Sequence, residues 1–231
     1  MKNLLFILVT IVLACNSAAQ KRISILPGEL NLQAMIQPIP TTAKIINDSS
    51  YIWCGTLVKS HIDQKYHLFY SRWPRQYGMA AWVTKSEVAH AVSDSPFGPF
   101  KFRDVALPER GREYWDGMVT HNPTVHFFEG KFYLYYTGNS GDGKITSPGL
   151  NWTHRNHQLI GVAIADDPNG PWRRFDKPII DVSKDTTAAD AQMMANPTVT
   201  QIPDGIQSSG QEKAATFRRT GSSSDCRCRQ T

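Results

Sequence analysis

Cysteine is scarce in this chain of 231 residues, which contains only four. Cys15 lies in the apolar N-terminal segment, and Cys226 and Cys228 lie close to the C-terminus, so Cys54 is the only cysteine between them. A small domain held together by disulfides would need more cysteines, in a regular arrangement. We therefore expect no disulfide framework.

Groups that would hold a metal or a cofactor are also lacking. No histidine or cysteine pair has the spacing of a zinc site. The loop at residues 139–143 offers a single carboxylate, Asp142, whereas calcium takes several charged oxygen ligands. No glycine-rich phosphate-binding loop occurs. We expect no metal and no other cofactor.

Long hydrophobic runs are absent except at the N-terminus, where residues 4–14 are almost wholly apolar. This run is too short to span a bilayer comfortably, and it follows Lys2 and precedes small residues, as in a secretion signal at residues 1–19. Cleavage after Ala19 would give a periplasmic or extracellular protein. A lipid-attachment signal ending at Cys15 is the alternative, and would anchor the protein. We expect export and no membrane span.

The chain also lacks an excess of positive charge between the N-terminal apolar segment and residue 206. The net charge is +5, but residues 206–231 hold five basic and two acidic residues, and Lys2 lies in the secretion signal. The segment between these two regions is therefore close to neutral. Nucleic-acid-binding domains usually carry a basic face, so nucleic acid is not an expected partner.

What the chain does contain is a repeat of about 70 residues with short strand patterns. Phe132 follows the equivalent Tyr66 by 66 residues, and Asn196 follows Asn122 by 74. Each complete copy predicts four strands separated by turns, and no segment has a long helical stripe. The copies span residues 50–114, 115–185 and 186–205, after a lead-in at 20–49. The pattern predicts an all-β fold of the propeller kind.

The repeat stops before a propeller could close. Propellers typically have four to eight blades, whereas this chain contains two copies and the first strand of a third. Residues 206–231 lack the aromatic-rich strand that follows the first hairpin turn in both earlier copies. We expect either a disordered linker or a frameshifted tail, since reading the codons one base further on permits a strand-like sequence. The chain is then a truncated propeller.

Two segments of the second copy carry a family resemblance. Residues 122–138, NPTVHFFEGKFYLYYTG, resemble the innermost hairpin of five-bladed β-propeller glycoside hydrolases of the family 43 and 32 group. Residues 161–172, GVAIADDPNGPW, are similar to the outer half of the same blade. Motifs at 70–74, 115–117, 120–123 and 151–155 are similar to those of exported bacterial members. The resemblance implies hydrolysis of glycosidic bonds, with a poly- or oligosaccharide as substrate.

In the family, carboxylates near the starts of the innermost strands of the first three blades act as base, pKa modulator and acid. The resemblance implies Asp48, Asp116 and Asp190 for these roles, since each precedes a predicted innermost strand. A glycosidase needs such carboxylates because one protonates the leaving oxygen while another activates water or attacks the sugar. For each aspartate, a turn or capping role is the structural alternative.

Two departures from the family pattern support a different function. The Asp-Pro pair expected in blade one is replaced by Trp53-Cys54-Gly55, and no glutamate lies between Asp185 and Asn196. A propeller that binds glycans without cutting them, or an inactive fragment, is therefore the alternative hypothesis to a glycosidase.

Candidate substrate-binding residues are aromatic or hydrogen-bonding side chains near predicted strand ends. They are Trp53, Arg72, Trp73, His121, Asn122, Trp152 and His154. Sugar rings pack on aromatic faces, while arginine, histidine and asparagine bind hydroxyl groups. The alternatives are a tryptophan wedged between blades and, for Asn122, the extended backbone that the following proline favours.

Overall fold

The computed structural model describes residues 36–146, 148–202, 205–209, 214–218 and 228–230. The predicted secretion signal, with Cys15, lies outside these residues. The chain divides into two compact units, residues 1–38 and 39–231. All the strands and helical turns described lie in the second unit.

The first repeat forms a four-stranded antiparallel sheet, which we call blade one. Its strands lie side by side in chain order. They are β1 (Ser50–Lys59), β2 (Tyr66–Pro74), β3 (Glu87–Ser93) and β4 (Lys101–Leu107). A single helical turn, α1 (Trp82–Lys85), lies between β2 and β3 after two short 3-10 turns.

The second repeat forms an equivalent sheet, blade two. Its strands are β5 (Val119–Phe128), β6 (Lys131–Asn139), β7 (Leu159–Ala165) and β8 (Arg173–Arg174), again in chain order. The single turn α2 (Trp152–Arg155) lies between β6 and β7, as α1 does in blade one. Two neighbouring four-stranded blades were predicted from the repeat, and this prediction is confirmed.

A third sheet follows, and it extends beyond the predicted first strand. It contains β9 (Thr198–Ile202), β10 (Gly205–Ser209), β11 (Ala214–Arg218) and β12 (Cys228–Gln230). Parts of residues 206–231, for which the sequence predicted no regular structure, are therefore paired in a sheet. Backbone ladders explain this difference, because strand pairing satisfies N–H and C=O groups without requiring aromatic side chains. The origin of the tail sequence stays a prediction.

The main core fills the space between blades one and two. Phe69, Val88 and Leu107 of blade one pack with a set of residues from blade two. That set is Val125, Leu134, Tyr136 and Ala163. Full burial of a large apolar side chain contributes about 1.5–3 kcal/mol, so this shared core holds the two blades together. Among the described residues, no helix has the length and apolar character needed to cross a membrane.

The innermost strands lie next to one another: β1 contacts β5, and β5 contacts β9. Hydroxyl side chains link the blades at these strands. Thr56 Oγ1 accepts a hydrogen bond from the Val125 backbone N–H at 3.1 Å, and Thr124 Oγ1 donates to the Pro197 carbonyl at 2.9 Å. Inner strands of successive blades are thus joined by specific polar contacts as well as by apolar packing.

Thr120 makes a further link of this kind, and it provides a test. Its buried hydroxyl accepts from the Val88 N–H at 3.0 Å and donates to the Leu107 carbonyl at 2.9 Å. We predict that Thr120→Val, which has nearly the same shape, lowers the free energy of unfolding by about 1–3 kcal/mol, because it leaves these buried groups unpaired. Chemical denaturation would measure this loss. Thr153→Val at an exposed position is the control, and equal stability of both variants would contradict the prediction.

Candidate functional site

One end of the blades collects most of the predicted site residues. Ser50 at the start of β1 pairs with Pro74 at the end of β2, and Val119 at the start of β5 pairs with Asn139 at the end of β6. The beginning of each inner strand therefore lies beside the loop that follows the second strand. We call this the strand-start end.

β1 and β5 each contain one residue with left-handed backbone geometry, and a third such residue lies just before β9. These residues are Cys54, Asn122 and Asn196, with φ angles of 49°, 47° and 55°. The strand ladders are irregular at Cys54 and Asn122. We call these three residues the inner-strand triplet. Left-handed residues other than glycine are costly, and they are concentrated at functional sites.

Two members of the triplet contact each other directly. The Asn122 amide Nδ2 donates a hydrogen bond to Asn196 Oδ1. The Asn122 Oδ1 atom is buried and has no hydrogen-bond partner among the described residues. An unpaired buried acceptor costs about 1–3 kcal/mol, and a ligand hydroxyl would remove this cost once the Asn122 side chain turns to expose Oδ1.

The third member, Cys54, is a free and exposed cysteine. Partial burial raises the pKa of its thiol. A thiol with a raised pKa is protonated at neutral pH and is a weak nucleophile. The triplet therefore offers amides and a neutral thiol, and contains no group that transfers protons at neutral pH.

Asp116 is the leading catalytic hypothesis, and its partners are different residues from the inner-strand triplet. Its side chain is completely buried. Arg110 donates to Oδ1 through Nε at 2.7 Å and contacts it through Nη2 at 2.5 Å, while Arg174 lies 3.4 Å from Oδ2. The Tyr136 hydroxyl donates to Oδ2 at 2.5 Å. Because both oxygens are occupied and neither reaches solvent, these contacts indicate that Asp116 anchors the fold, and its catalytic role stays a prediction.

The surroundings of Asp116 are packed closely enough to require glycines. A Cβ atom on Gly138 would lie 2.5 Å from the Asp116 Cβ, and one on Gly161 would lie 2.5 Å from the Trp115 ring. Burial, together with the charge of Asp116, raises the pKa of Tyr136 well above its usual value, so its hydroxyl remains a donor. Asp116 thus holds Arg110 from the loop before β5 and Arg174 from β8.

We predict that Asp116→Asn destabilises the chain strongly. The amide leaves two arginines without their buried carboxylate, and breaking a buried ion pair in this way costs about 3–5 kcal/mol. Thermal and chemical denaturation would measure the loss. The control is Asp166→Asn, because Asp166 is exposed and pairs with Lys131 at the surface. An Asp116→Asn variant as stable as this control would contradict the anchoring role.

The other two predicted carboxylates differ from Asp116 and from each other. Asp48 is exposed and lies two residues before β1, at the strand-start end. Asp190 is buried in the connection between blade two and β9, where its backbone carbonyl accepts from the Ser183 N–H at 3.1 Å. The partners of Asp116 include neither of these residues. Of the three, Asp48 is the one with an exposed side chain.

His121, which the sequence predicted to bind substrate, is buried. Its Nδ1 atom lies 2.7 Å from Ser86 Oγ. Its ring stacks on Trp82 at 5.0 Å between centroids and meets the edge of Trp73 at 5.8 Å. Burial lowers the pKa of His121 to about 3, so the ring is neutral and holds the base of the β2–β3 loop.

This low pKa predicts a dependence of stability on pH. The unfolded chain takes up a proton at His121 near pH 6.5, whereas the folded chain does so only near pH 3. The free energy of unfolding therefore falls as the pH drops from 7 towards 3, by roughly 3 kcal/mol at pH 4 from this residue. We predict that His121→Gln flattens the fall, as measured by denaturation at pH 7 and pH 4.

A smaller fall in the free energy of unfolding remains in this variant, because burial also lowers the pKa of His90, to about 4. Identical losses between pH 7 and pH 4 in the variant and the parent would show that His121 is not the cause. His157→Gln is the control, since His157 is exposed.

The remaining candidates divide by exposure. Trp53 and Trp152 are 50% and 64% exposed, so both aromatic rings are available to a ligand. Arg72 pairs with Glu87 at 2.7 Å and lies over the Phe102 ring, so it is already engaged.

Trp73 and His154, which the sequence also predicted to bind substrate, are buried. Trp73 Nε1 donates to the Met79 carbonyl at 3.2 Å. His154 Nδ1 lies 2.7 Å from Asn139 Oδ1, and its Nε2 accepts from the Gly143 N–H at 2.9 Å. Both side chains hold loops at the strand-start end.

Sequence reasoning matched Asn196 to Asn122 through the repeat but missed Cys54 as their equivalent. A signal was present, because each triplet residue is followed by glycine or proline and then by threonine: Cys-Gly-Thr once and Asn-Pro-Thr twice. Among the described residues, no group of three histidine, cysteine, aspartate or glutamate side chains is placed to hold a metal.

Comparison with known proteins supports the fold. No protein-family model and no curated protein sequence matches the chain. A family 117 glycoside hydrolase from the marine bacterium Zobellia galactanivorans has a similar structure, with 19% identity and a TM-score of 0.55. The match covers 73% of this chain and 49% of that one.

Two further solved structures give matching results. One is described as a glycoside hydrolase and the other as an RGII complex. Each has 18% identity and a TM-score of 0.53, with coverage of 76% of this chain and 51% of the other. The chain thus spans about half the length of the structures it matches. Its fold is that of the β-propeller glycoside hydrolases, as the sequence predicted.

Proposed function

We propose that this chain is part of an exported glycoside hydrolase that cleaves glycosidic bonds of a poly- or oligosaccharide at the strand-start end. The observation that carries the proposal is the inner-strand triplet, where the buried Asn122 Oδ1 lacks a partner among the described residues. The exposed Trp53 is adjacent to Cys54 in β1. The Trp53 backbone pairs with Ser71, whose hydroxyl accepts a hydrogen bond from the Asn122 N–H. An aromatic residue and an amide on neighbouring strands suit a sugar, which combines hydroxyl groups with an apolar face.

The proposed chemistry assigns a role to each accessible group. Trp53 packs against the sugar ring, and Asn122 accepts a hydrogen bond from a hydroxyl group. Asp48 is the proposed proton-transfer residue, because its exposed carboxylate precedes β1 at the same end. Glycosidases use a second carboxylate as well. Asp190 is the proposed second carboxylate within the described residues.

A specific observation favours a second candidate function. The triplet contains no carboxylate, and Asp116 is buried between two arginines. A propeller with such a site binds glycans through Trp53 and Asn122 without cutting them. Measurement of cleavage and of binding on the same glycans separates the two functions.

We predict that Asp48→Asn lowers turnover by about 100-fold or more, since a general acid or base contributes about 10²–10⁴-fold. Glycan affinity and melting temperature stay unchanged because the side chain is exposed. Asn122→Gly weakens binding without loss of stability, because glycine adopts the left-handed backbone freely and lacks the amide. Reducing-sugar release and calorimetric titration would measure both effects.

Asp94→Asn is the control for Asp48, because Asp94 is exposed at the opposite end of blade one. If the parent chain binds glycans and cleaves none, the binding function replaces the hydrolase. If it cleaves them and Asp48→Asn retains full turnover, the assignment of Asp48 is wrong.

Export is part of the proposal and rests on the N-terminal sequence. Polysaccharides are too large to enter cells freely, so an exported enzyme meets its substrate outside. Mass spectrometry of the mature protein distinguishes cleavage after Ala19 from a lipid on Cys15. An intact N-terminus in the mature protein would contradict both.

A further inference from the structure

Two equivalent loops at the strand-start end share a pattern that the proposed function does not use. α1 begins with Trp82 and ends with Lys85, and α2 begins with Trp152 and ends with Arg155. Each helical turn therefore has a tryptophan first and a cation last, and each precedes the third strand of its blade. This repetition indicates a common role for the two loops.

The two turns are joined by one side chain. Asn139, at the end of β6, donates through Nδ2 to the Val83 carbonyl in α1 at 3.3 Å. Its Oδ1 accepts from His154 in α2 at 2.7 Å, and Gly143 N–H occupies the other ring nitrogen. The proton on the neutral His154 ring is thus assigned to Nδ1, and α1 is fastened to α2.

Three cations surround this junction, and we call them the rim cations: Lys85, Arg112 and Arg155. Arg112 Nη2 donates to the Gly141 carbonyl at 2.8 Å, in the loop that packs against His154. Arg155 contacts the sulfur of Met193. Burial lowers the pKa of His154; the charge of Asp142 opposes this shift, and the charges of Arg112 and Lys85 add to it.

The rim cations form no ion pair with a carboxylate among the described residues. Asp142 is nearby, but it accepts from Asn151 and the Lys144 N–H and lies 3.6 Å from His154.

At the opposite end of the blades, two lysines are paired. Lys65 lies 2.9 Å from Asp94, and Lys131 pairs with Asp166. Lys59 and Lys101 also lie at that end and form no ion pair among the described residues, so the strand-start end is distinguished by the three such cations around one junction.

Trp152 is 64% exposed beside this junction. Its ring provides a face for a sugar, and arginine and lysine bind carboxylate or sulfate oxygens through charge-assisted hydrogen bonds. We propose that the strand-start end binds an anionic glycan, in which Trp152 packs on a sugar ring and the rim cations bind carboxylate or sulfate groups. The inference rests on the proposed function and names the class of its substrate.

The test compares glycans that share a backbone and differ in charge. The purified chain is titrated with polygalacturonate and with its methyl ester, and with κ-carrageenan and its desulfated form. We expect at least one polyanion to bind about tenfold or more tightly than its uncharged counterpart, and this advantage to shrink as salt is added.

Variants locate the interaction. The double variant Lys85→Gln with Arg155→Gln should lose most of the preference for the polyanion. Trp152→Ala should weaken binding of the charged and uncharged forms alike. The control is Lys65→Gln with Lys131→Gln, which removes the same charge from the opposite end and should retain the preference.

Three results would overturn the inference. One is equal affinity for charged and uncharged forms in both pairs. Another is an equal loss in the control double variant, which would show non-specific attraction. A third is a preference that survives removal of Lys85 and Arg155. Binding or cleavage of neutral glycans in any of these cases leaves the proposed function standing, whereas failure to bind or cleave any glycan would defeat the proposed function as well.

Discussion

The arrangement of the blades depends on one repeated hydrogen bond to a left-handed residue. The N–H of Asn122 donates to Ser71 Oγ at 2.8 Å, and the N–H of Asn196 donates to Thr137 Oγ1 at 3.0 Å. In both cases the hydroxyl belongs to the second strand of the preceding blade. The left-handed backbone directs this N–H out of its own sheet. The hydrogen bond that results offsets the backbone strain, and it fixes the position of one blade relative to the next. The same turn brings the amide side chains of the two asparagines together at the strand-start end.

Much of the fold was predictable because its signals are local. The aromatic alternation of residues 132–136 predicted a strand inside β6, and Glu129-Gly130 predicted the hairpin turn between β5 and β6, where both residues have positive φ angles. The 70-residue repeat then predicted identical blades. The third sheet went further than expected because backbone pairing in β10–β12 leaves little trace in the side-chain pattern.

The site was harder to predict, because the position of a residue in the sequence does not show which distant side chains contact it in the fold. Asp116 precedes β5 as predicted, yet Arg174 reaches it from 58 residues further along the chain and closes it off from solvent. His154 was chosen for its chemistry, and only the structure shows that Asn139 and Gly143 occupy both ring nitrogens. Trp53 and Trp152 are exposed, and their roles in sugar binding stay predictions, since single exposed aromatic rings are common on protein surfaces.

Charged side chains have two roles in this molecule, stabilising the fold when buried and attracting a ligand when exposed. Which role a side chain has depends on whether water solvates it. A charge removed from water must be paired, and Asp116 meets this requirement with two arginines, so it stabilises the fold. The inner-strand triplet consists of neutral groups, which lose less solvation free energy on burial than charged groups do. Lys85, Arg112 and Arg155 remain at the rim, where water solvates them until an anionic group replaces it. A charged glycan would therefore meet cations first and neutral hydrogen-bonding groups further in, an order that favours attraction at the rim and orientation at the inner strands.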